Sequence, residues 1–567
     1  MNPYAQYNPQ ERKVAYFSME IGLAAELPIY SGGLGVLAGD TIKSFADLGI
    51  PAVGVSLLYK KGYFHQEIDT SGNQIEIPVE WDPSEYMTLL PEKITITIED
   101  RTVIIQAWVY KVKGIKGDSV PILFLDTDIE INASEDREIT AYLYGGEERY
   151  RLKQEMVLGF GGVRILQLLG HDNLEAYHMN EGHSALLTLE LMDRLQDIET
   201  VREMCVFTTH TPVPAGHDRF HMDMVRDLFG ESFDVDSLDH DNIIDEAGHL
   251  NMTYLALYHA EYINGVAKKH GETAQKMFPE YRIDAITNGI HARTWVAESM
   301  ARLFDRYIPS WPNDPSSLRN ALNIPRDQIR EAHLNAKQEL LDFVNDRCGG
   351  NMKPDILTIG FARRAAAYKR ADLLLSDPER LAGLVDSHGP IQILYAGKAH
   401  PRDEKGKALI KSIHEKIREL KGKVEICYLE NYDMYRAKLL VGGVDVWLNT
   451  PLRPMEASGT SGMKAALNGV INLSVLDGWW LEGHIEDFTG WQIGQRERER
   501  DAEAEPENSR KKDAADLYAK LENKVLPYFY KNREHWLDMM AYNIALNGSF
   551  FNTHRMVSQY VMQAYFQ

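Results

Sequence analysis

After residue 350 the chain alternates short runs of β-branched and aromatic residues with helical stretches, and every run stops at a polar or glycine-containing loop. The runs fall at 356–360, 391–395, 424–428 and 444–448, and the first of them is followed by a basic helical stretch. This alternation is the pattern of parallel α/β domains. In doubly wound sheets ligands sit at the carboxyl ends of the strands, so the loops after these runs should share one rim, and residues far apart in sequence could form one site. The first half has similar units, at 13–17 before a glycine loop and at 204–208 before His210. A change of domain is expected after 283–295. The sequence thus predicts two facing, Rossmann-like doubly wound α/β domains with a ligand cleft between them, over 1–290 and 291–550. A C-terminal helix, 551–567, has an apolar face that could pack back on the first.

Composition narrows the function. A chain of 567 residues that is 44% hydrophobic can bury two or three substantial cores. With 83 acidic against 61 basic residues, a net charge of −22 argues against a general binder of nucleic acid or membrane surfaces, while leaving room for a local basic pocket. The three cysteines, Cys205, Cys348 and Cys427, show no metal-ligand spacing, and no apolar segment precedes Glu11-Arg12-Lys13. A cytoplasmic chain free of disulfides is expected, and Asn132-Ala133-Ser134 is then a chance sequon. The charge-dense stretch 496–512 reads as a solvated loop.

Chemistry enters with Glu456-Ala457-Ser458-Gly459-Thr460-Ser461-Gly462-Met463-Lys464, a flexible loop set before a helix-forming stretch with a lysine at the junction. Glycines let backbone N–H groups converge on an anion, hydroxyls add donors, and a helix N-terminus adds partial positive charge. It is not a Walker A loop, since Lys464 is not in the G-x-x-x-x-G-K-[ST] spacing. Alone, the string reads equally as a helix cap with a solvated lysine. Ser31-Gly32-Gly33-Leu34-Gly35 is a second loop able to approach an anion, or a plain structural turn. Arg363-Arg364-Ala365-Ala366-Ala367-Tyr368-Lys369-Arg370 starts where a strand should end, so a loop there could turn Arg364 and Lys369 onto one dianion. Without that context it reads as a surface basic helix. His210-Thr211-Pro212 and Thr287-Asn288-Gly289 read by themselves as a structural histidine and a turn.

Taken in order, these blocks, with Asn468-Gly469-Val470 and Leu476-Asp477-Gly478, resemble the α-glucan (glycogen, starch, maltodextrin) phosphorylases over most of the chain, in a compact bacterial form. The resemblance implies the GT-B glycosyltransferase architecture, with the homodimer as the family's habit. Lys464 would hold pyridoxal 5′-phosphate, with Thr460, Ser461 and Arg363 near its phosphate and Tyr432 close to its ring. Arg364 and Lys369 would hold the substrate phosphate, together with the Gly33 amide. Asn288, Glu456, Ser458 and the Gly459 amide would contact the sugar, Tyr368 would wall the pocket, and His210 would face the glycosidic centre by way of its backbone. His183, in Asn180-Glu181-Gly182-His183, would support the site without catalysing. The family often has lysine at Arg363, which keeps the charge, and histidine at Ala366; Ala215-Gly216-His217 departs from the animal and plant pattern, so contacts from that loop are not carried over.

The implied reaction is reversible, retaining phosphorolysis. Inorganic phosphate cleaves the terminal α-1,4 bond of a glucan or maltooligosaccharide and yields glucose 1-phosphate, with no metal, and with the cofactor phosphate assisting proton transfer. Two phosphates at short range repel, so the site needs the cations and donors named. No convincing pair of carboxylates of the kind a glycosidase uses stands out. A nucleotide-sugar-dependent glucan synthase would suit the fold and the early glycine loop but lacks the lysine string. A non-catalytic glucan-binding protein would retain the cleft, and an aminotransferase would lack the basic phosphate motif.

Overall fold

A computed structural model describes residues 3–213, 216–230, 238, 240, 242–494 and 506–566. It divides into two compact units: Met1–Phe64 with Pro78–Thr287 and Met556–Gln567, and His65–Ile77 with Asn288–Arg555.

The first unit is built on a nine-stranded sheet. From one edge its strands run Asp284–Ala285, Tyr262–Gly265, Cys205–Thr208, Ala176–Asn180, Val14–Ser18, Ala52–Leu57 and Ser119–Asp126, all parallel to their neighbours. Arg101–Lys113 and Thr88–Ile98 then add antiparallel to the far edge. Val14–Ser18 and Ala176–Asn180 are buried at every position, as central parallel strands covered on both faces must be. Along Arg101–Lys113, Val103, Ile105, Ala107 and Val109 point inward and alternate with more exposed residues, the signature of a strand wet on one face. Within this unit the C-terminal residues return to the sheet: Tyr565 Oη lies 2.6 Å from His178 Nδ1, and Asn264 Nδ2 donates to Tyr560 Oη at 3.0 Å.

The second unit holds a six-stranded sheet in the order Glu425–Leu429, Ile391–Ala396, Leu357–Ala362, Val446–Asn449, Ile471–Val475, Gly490–Ile493, parallel throughout. At the amino ends of its central strands a buried carboxylate, Asp445, accepts from Lys337 Nζ (2.5 Å) and the Thr358 amide (2.8 Å), with His333 Nε2 at 3.1 Å. Lys337 and His333 lie on the helix Arg326–Cys348, so this cluster clamps the helix to the amino end and leaves the carboxyl ends to the loops.

Three expectations change. The stretch after Leu357–Ala362 is a loop with one tight turn, Ala367–Lys369, in place of a basic helix, because the Arg363 and Ala365 amides pair with the Ala396 and Lys398 carbonyls instead of turning into a helix. Of the segment expected as a solvated loop, 496–505 lies outside the described residues, while 506–512 begins the helix Pro506–Lys520, where Arg510 pairs with Asp372 at 2.8 Å. The cysteines are not all free: Cys348, ending the helix Arg326–Cys348, is bridged to Cys427 in the edge strand, with Cα atoms 6.2 Å apart, while Cys205 stays free and buried. Among the described residues no helix is long and apolar enough to cross a membrane.

Candidate active site

In the second unit the strands Leu357–Ala362 and Val446–Asn449 lie side by side, so the loops that leave their carboxyl ends meet. Arg363, one residue past the first strand, grips Glu456 in the fork-to-fork geometry suited to a guanidinium and a carboxylate, with Nη1–Oε2 and Nη2–Oε1 both 2.8 Å, and it also donates to Asn449 Oδ1. Lys369 Nζ donates to the same Glu456 Oε2 at 2.6 Å and lies 4.5 Å from the Tyr368 ring centre. Three side chains assigned by resemblance to three different ligands therefore share one buried ion cluster. Burial pushes the Glu456 carboxyl up, but the two cations outweigh it and hold it down to about 2. Arg364, between them in sequence, is exposed and bears electrostatically on the Tyr368 phenol.

Behind Glu456 stands a second carboxylate to which the sequence reading gave no role. Asp477 accepts from the Glu456 amide (2.9 Å) and the Gly478 amide (3.0 Å), and burial, with the nearby Glu456 charge, raises it to about 7. The visible signal was Leu476-Asp477-Gly478 directly after the strand Ile471–Val475.

The same loop turns into the helix Thr460–Leu467 through Gly459, whose φ of +91° is left-handed and favours glycine. A Cβ there would lie 3.3 Å from Glu456 Oε1, so a side chain at this turn would press on the ion cluster. Lys464, one turn into the helix, is buried with Nζ 3.7 Å from the centre of the Trp295 ring. Asn468 fixes this pairing by donating to the carbonyls of Trp295 and Lys464, both at 3.0 Å, while accepting from the Ala297 amide at 2.7 Å. Ser461 Oγ accepts from Trp447 Nε1 at 3.2 Å, Thr460 begins the helix, and Tyr432 is part-buried with its phenol pushed up by burial. Asn288 is held by chain pairing: Gly289 leaves no room for a Cβ against Asn552, Ile290 pairs with Phe551 and Thr553, and Arg555 Nη2 donates to the Asn288 carbonyl at 2.9 Å. Among the described residues, the buried Asn288 Oδ1 and Ser458 Oγ have no hydrogen-bond partner.

In the first unit the glycine loop is held by Glu20, which follows the strand Val14–Ser18. Its carboxylate accepts from the amides of Ser31 and Gly32 and from Tyr144 Oη (3.0 Å), and Gly33 then opens the helix Gly33–Leu48. His210 leaves the strand Cys205–Thr208 with Nε2 2.6 Å from Asn180 Oδ1, and burial takes its pKa down to about 4, so the ring is neutral near pH 7. His183 Nε2 lies 3.2 Å from Asp218, which also pairs with Arg151. Ala215 lies outside the described residues, and Ala366 is buried at the start of the tight turn. Glu20 has no local signature beyond its place at a strand end, so sequence reasoning passed over it.

The chain's likeness to known proteins agrees with these motifs. A family described as carbohydrate phosphorylase matches residues 23–129 and 215–490. The chain belongs to this family. Relatives include a maltodextrin phosphorylase of Thermococcus litoralis, 42% identical over all of this chain and 72% of the relative. A glycogen phosphorylase of Mycobacterium tuberculosis is 38% identical over 97% of this chain and 70% of its own, and one of Aquifex aeolicus is 35% identical over all of this chain and 88% of its own. Family membership accounts for the α/β architecture with large parallel sheets.

Proposed function

We infer that this chain is an α-glucan phosphorylase, which uses inorganic phosphate to cleave terminal α-1,4 bonds of glucans or maltooligosaccharides with retention, releasing α-D-glucose 1-phosphate reversibly. The observation that carries the reading is the buried Arg363–Lys369–Glu456 cluster, whose Glu456 lies in the loop that opens Lys464's helix, in a chain alike over its whole length to maltodextrin and glycogen phosphorylases.

The residues fit pyridoxal 5′-phosphate. Lys464 offers a buried amine against an aromatic face, and Thr460 and Ser461 bring two hydroxyls to the start of its helix, a donor set suited to an aldehyde-bearing phosphate. Lys464 would carry the group, Thr460, Ser461 and Arg363 would hold its phosphate, and Tyr432 would lie by its ring. Bound there, it would supply a phosphate that assists proton transfer to and from the substrate phosphate.

Arg364 and Lys369 would neutralise the substrate phosphate, with the Gly33 amide as a further donor. Asn288 Oδ1, Ser458 Oγ, Glu456 and the Gly459 amide would bind sugar hydroxyls, beside Tyr368 as a wall. Substrate phosphate would protonate the glycosidic oxygen, and the oxyanion left behind would capture the sugar cation on the same face, which gives retention. His210, neutral, would face the glycosidic centre without carrying charge. Neither carboxylate of the cluster suits a glycosidase: Glu456 is held ionised by two cations, and both oxygens of Asp477 are taken by amides. The facing of the two units, a homodimer and a cytoplasmic setting belong to the same reading.

Replacing Lys464 with alanine is the test. The variant should lose the cofactor absorbance and phosphorolysis together, and retained phosphorolysis would remove the cofactor assignment.

A further inference from the structure

In the first unit, the residue after the strand Ala176–Asn180 adopts a backbone that ordinary side chains avoid. Glu181 has φ +75° and ψ 169°, a region that essentially only glycine occupies. Such a conformation persists where the surroundings over-determine it, and here the side chain itself is the anchor. Glu181 Oε2 accepts from the His210 amide at 2.7 Å and from Thr211 Oγ1 at 3.0 Å, while Oε1 accepts from the Gly182 amide at 3.2 Å. The Glu181 amide donates to the Thr208 carbonyl at 2.9 Å, so one residue binds the neighbouring strand end through both main chain and side chain. The carboxylate is buried, and burial pushes it up, but the imidazoles of His210, His217 and His183, where acid protonates them, and the His210 amide leave it net lowered, so it is ionised near pH 7.

Asn180 completes the hold by fixing the ring. Ser18 Oγ donates to the Glu20 carbonyl at 2.7 Å, so it can only accept from Asn180, whose Nδ2 lies 3.0 Å away. The other atom of that amide is therefore oxygen, and His210 Nε2, 2.6 Å from it, must carry the proton. Nδ1 is left as a lone pair.

We propose that Glu181 is a positioning residue for His210: a glycine-only backbone is occupied by glutamate so that its carboxylate fixes the His210–Thr211 main chain, while Asn180 fixes the imidazole. This rests on the phosphorolysis reading for its functional consequence. Glycine at 181 would relieve the backbone and lose the acceptor, alanine would lose the acceptor and keep the strain, and glutamine would keep the shape but lose the charge and one acceptor.

The experiment compares Glu181→Gly, Glu181→Ala and Glu181→Gln with the unaltered protein, all loaded with pyridoxal phosphate. It reads cofactor content, thermal midpoint, and kcat and KM for maltodextrin and phosphate. The expected result is normal cofactor content, kcat at least tenfold down in all three with both KM values within about threefold, and a glycine variant that melts above the alanine variant, the reverse of the usual order. An unaltered protein that makes glucose 1-phosphate alongside a Gln variant within twofold of its kcat overturns the positioning role. An alanine variant as stable as the glycine variant overturns the strained anchor. If the unaltered protein makes no glucose 1-phosphate, the phosphorolysis reading falls, and the order of the two midpoints still decides whether Glu181 is a strained anchor.

Discussion

Glu456→Gln removes one charge from the ion cluster and changes little in volume, so its cost measures the electrostatics. Arg363 and Lys369 would keep two buried positive charges without their shared counter-ion. Glu456 is 6% exposed, so solvent screening offers little relief. Its pKa falls from 4.5 to about 2. A downward shift of about 2.5 units corresponds to about 3 kcal/mol of folded-state preference for the ionised form, in line with the ~3–5 kcal/mol lost when one partner of a buried pair is removed. At roughly 2–4 °C per kcal/mol for a unit of this size, the second unit should melt about 6–12 °C lower at pH 7. Seven of the nine tryptophans, Trp295, Trp311, Trp447, Trp479, Trp480, Trp491 and Trp536, lie in that unit, so intrinsic fluorescence follows its unfolding. The carboxylate's contribution is full above pH 4.5 and is lost as pH falls through about 2, so the gap between the two proteins should hold from pH 8 to 5 and narrow below. A gap under about 1 kcal/mol at pH 7 would mean that the two cations do not depend on Glu456 as their counter-ion.

Asp477 has the opposite sign. Its folded carboxyl holds a proton to about pH 7 against 3.8 unfolded, so the stability it contributes is full below pH 3.8 and about 4 kcal/mol is lost as pH rises through 7. Asp477→Asn should therefore flatten the stability profile between pH 5 and 8 in urea titrations, and an unchanged slope would discard the shift. Gly459→Ala forces a side chain into φ +91° beside Glu456 and should cost about 1–2 kcal/mol by thermal melting, with no change counting against the strain. Thiol labelling without reductant should find no reactive cysteine in the folded chain and one, Cys205, after unfolding, whereas three would contradict the Cys348–Cys427 bridge.

The parallel strands of the second unit were legible because burial on both faces makes them apolar along their length: the runs at 356–360 and 391–395 lie within a residue or two of Leu357–Ala362 and Ile391–Ala396. Arg363, Lys369 and Glu456 could be singled out by residue type, but not their union, since partners 87 and 93 positions apart leave no local pattern. Glu20, Glu181 and Asp477 escaped for a related reason: each acts on backbone amides of another loop, and any carboxylate can do that. Nor could local sequence place the segment His65–Ile77 with the second unit. Two buried glutamines help tie it there: Gln66 donates to the Gly397 carbonyl at 2.8 Å, and Gln74 donates to that of Ala399 at 3.0 Å. The helix Pro506–Lys520 was obscured by charge density, which reads as solvation until partners such as Asp372 are known.

The most direct measurement is product formation by the protein, loaded with pyridoxal phosphate, from maltodextrin with and without inorganic phosphate, with nucleotide-glucose tested separately as donor for chain growth. Phosphorolysis requires glucose 1-phosphate that depends on phosphate, and no chain extension from nucleotide-glucose. Chain growth from nucleotide-glucose would make it a synthase, and no product from several glucans would leave a glucan binder; either result would contradict phosphorolysis.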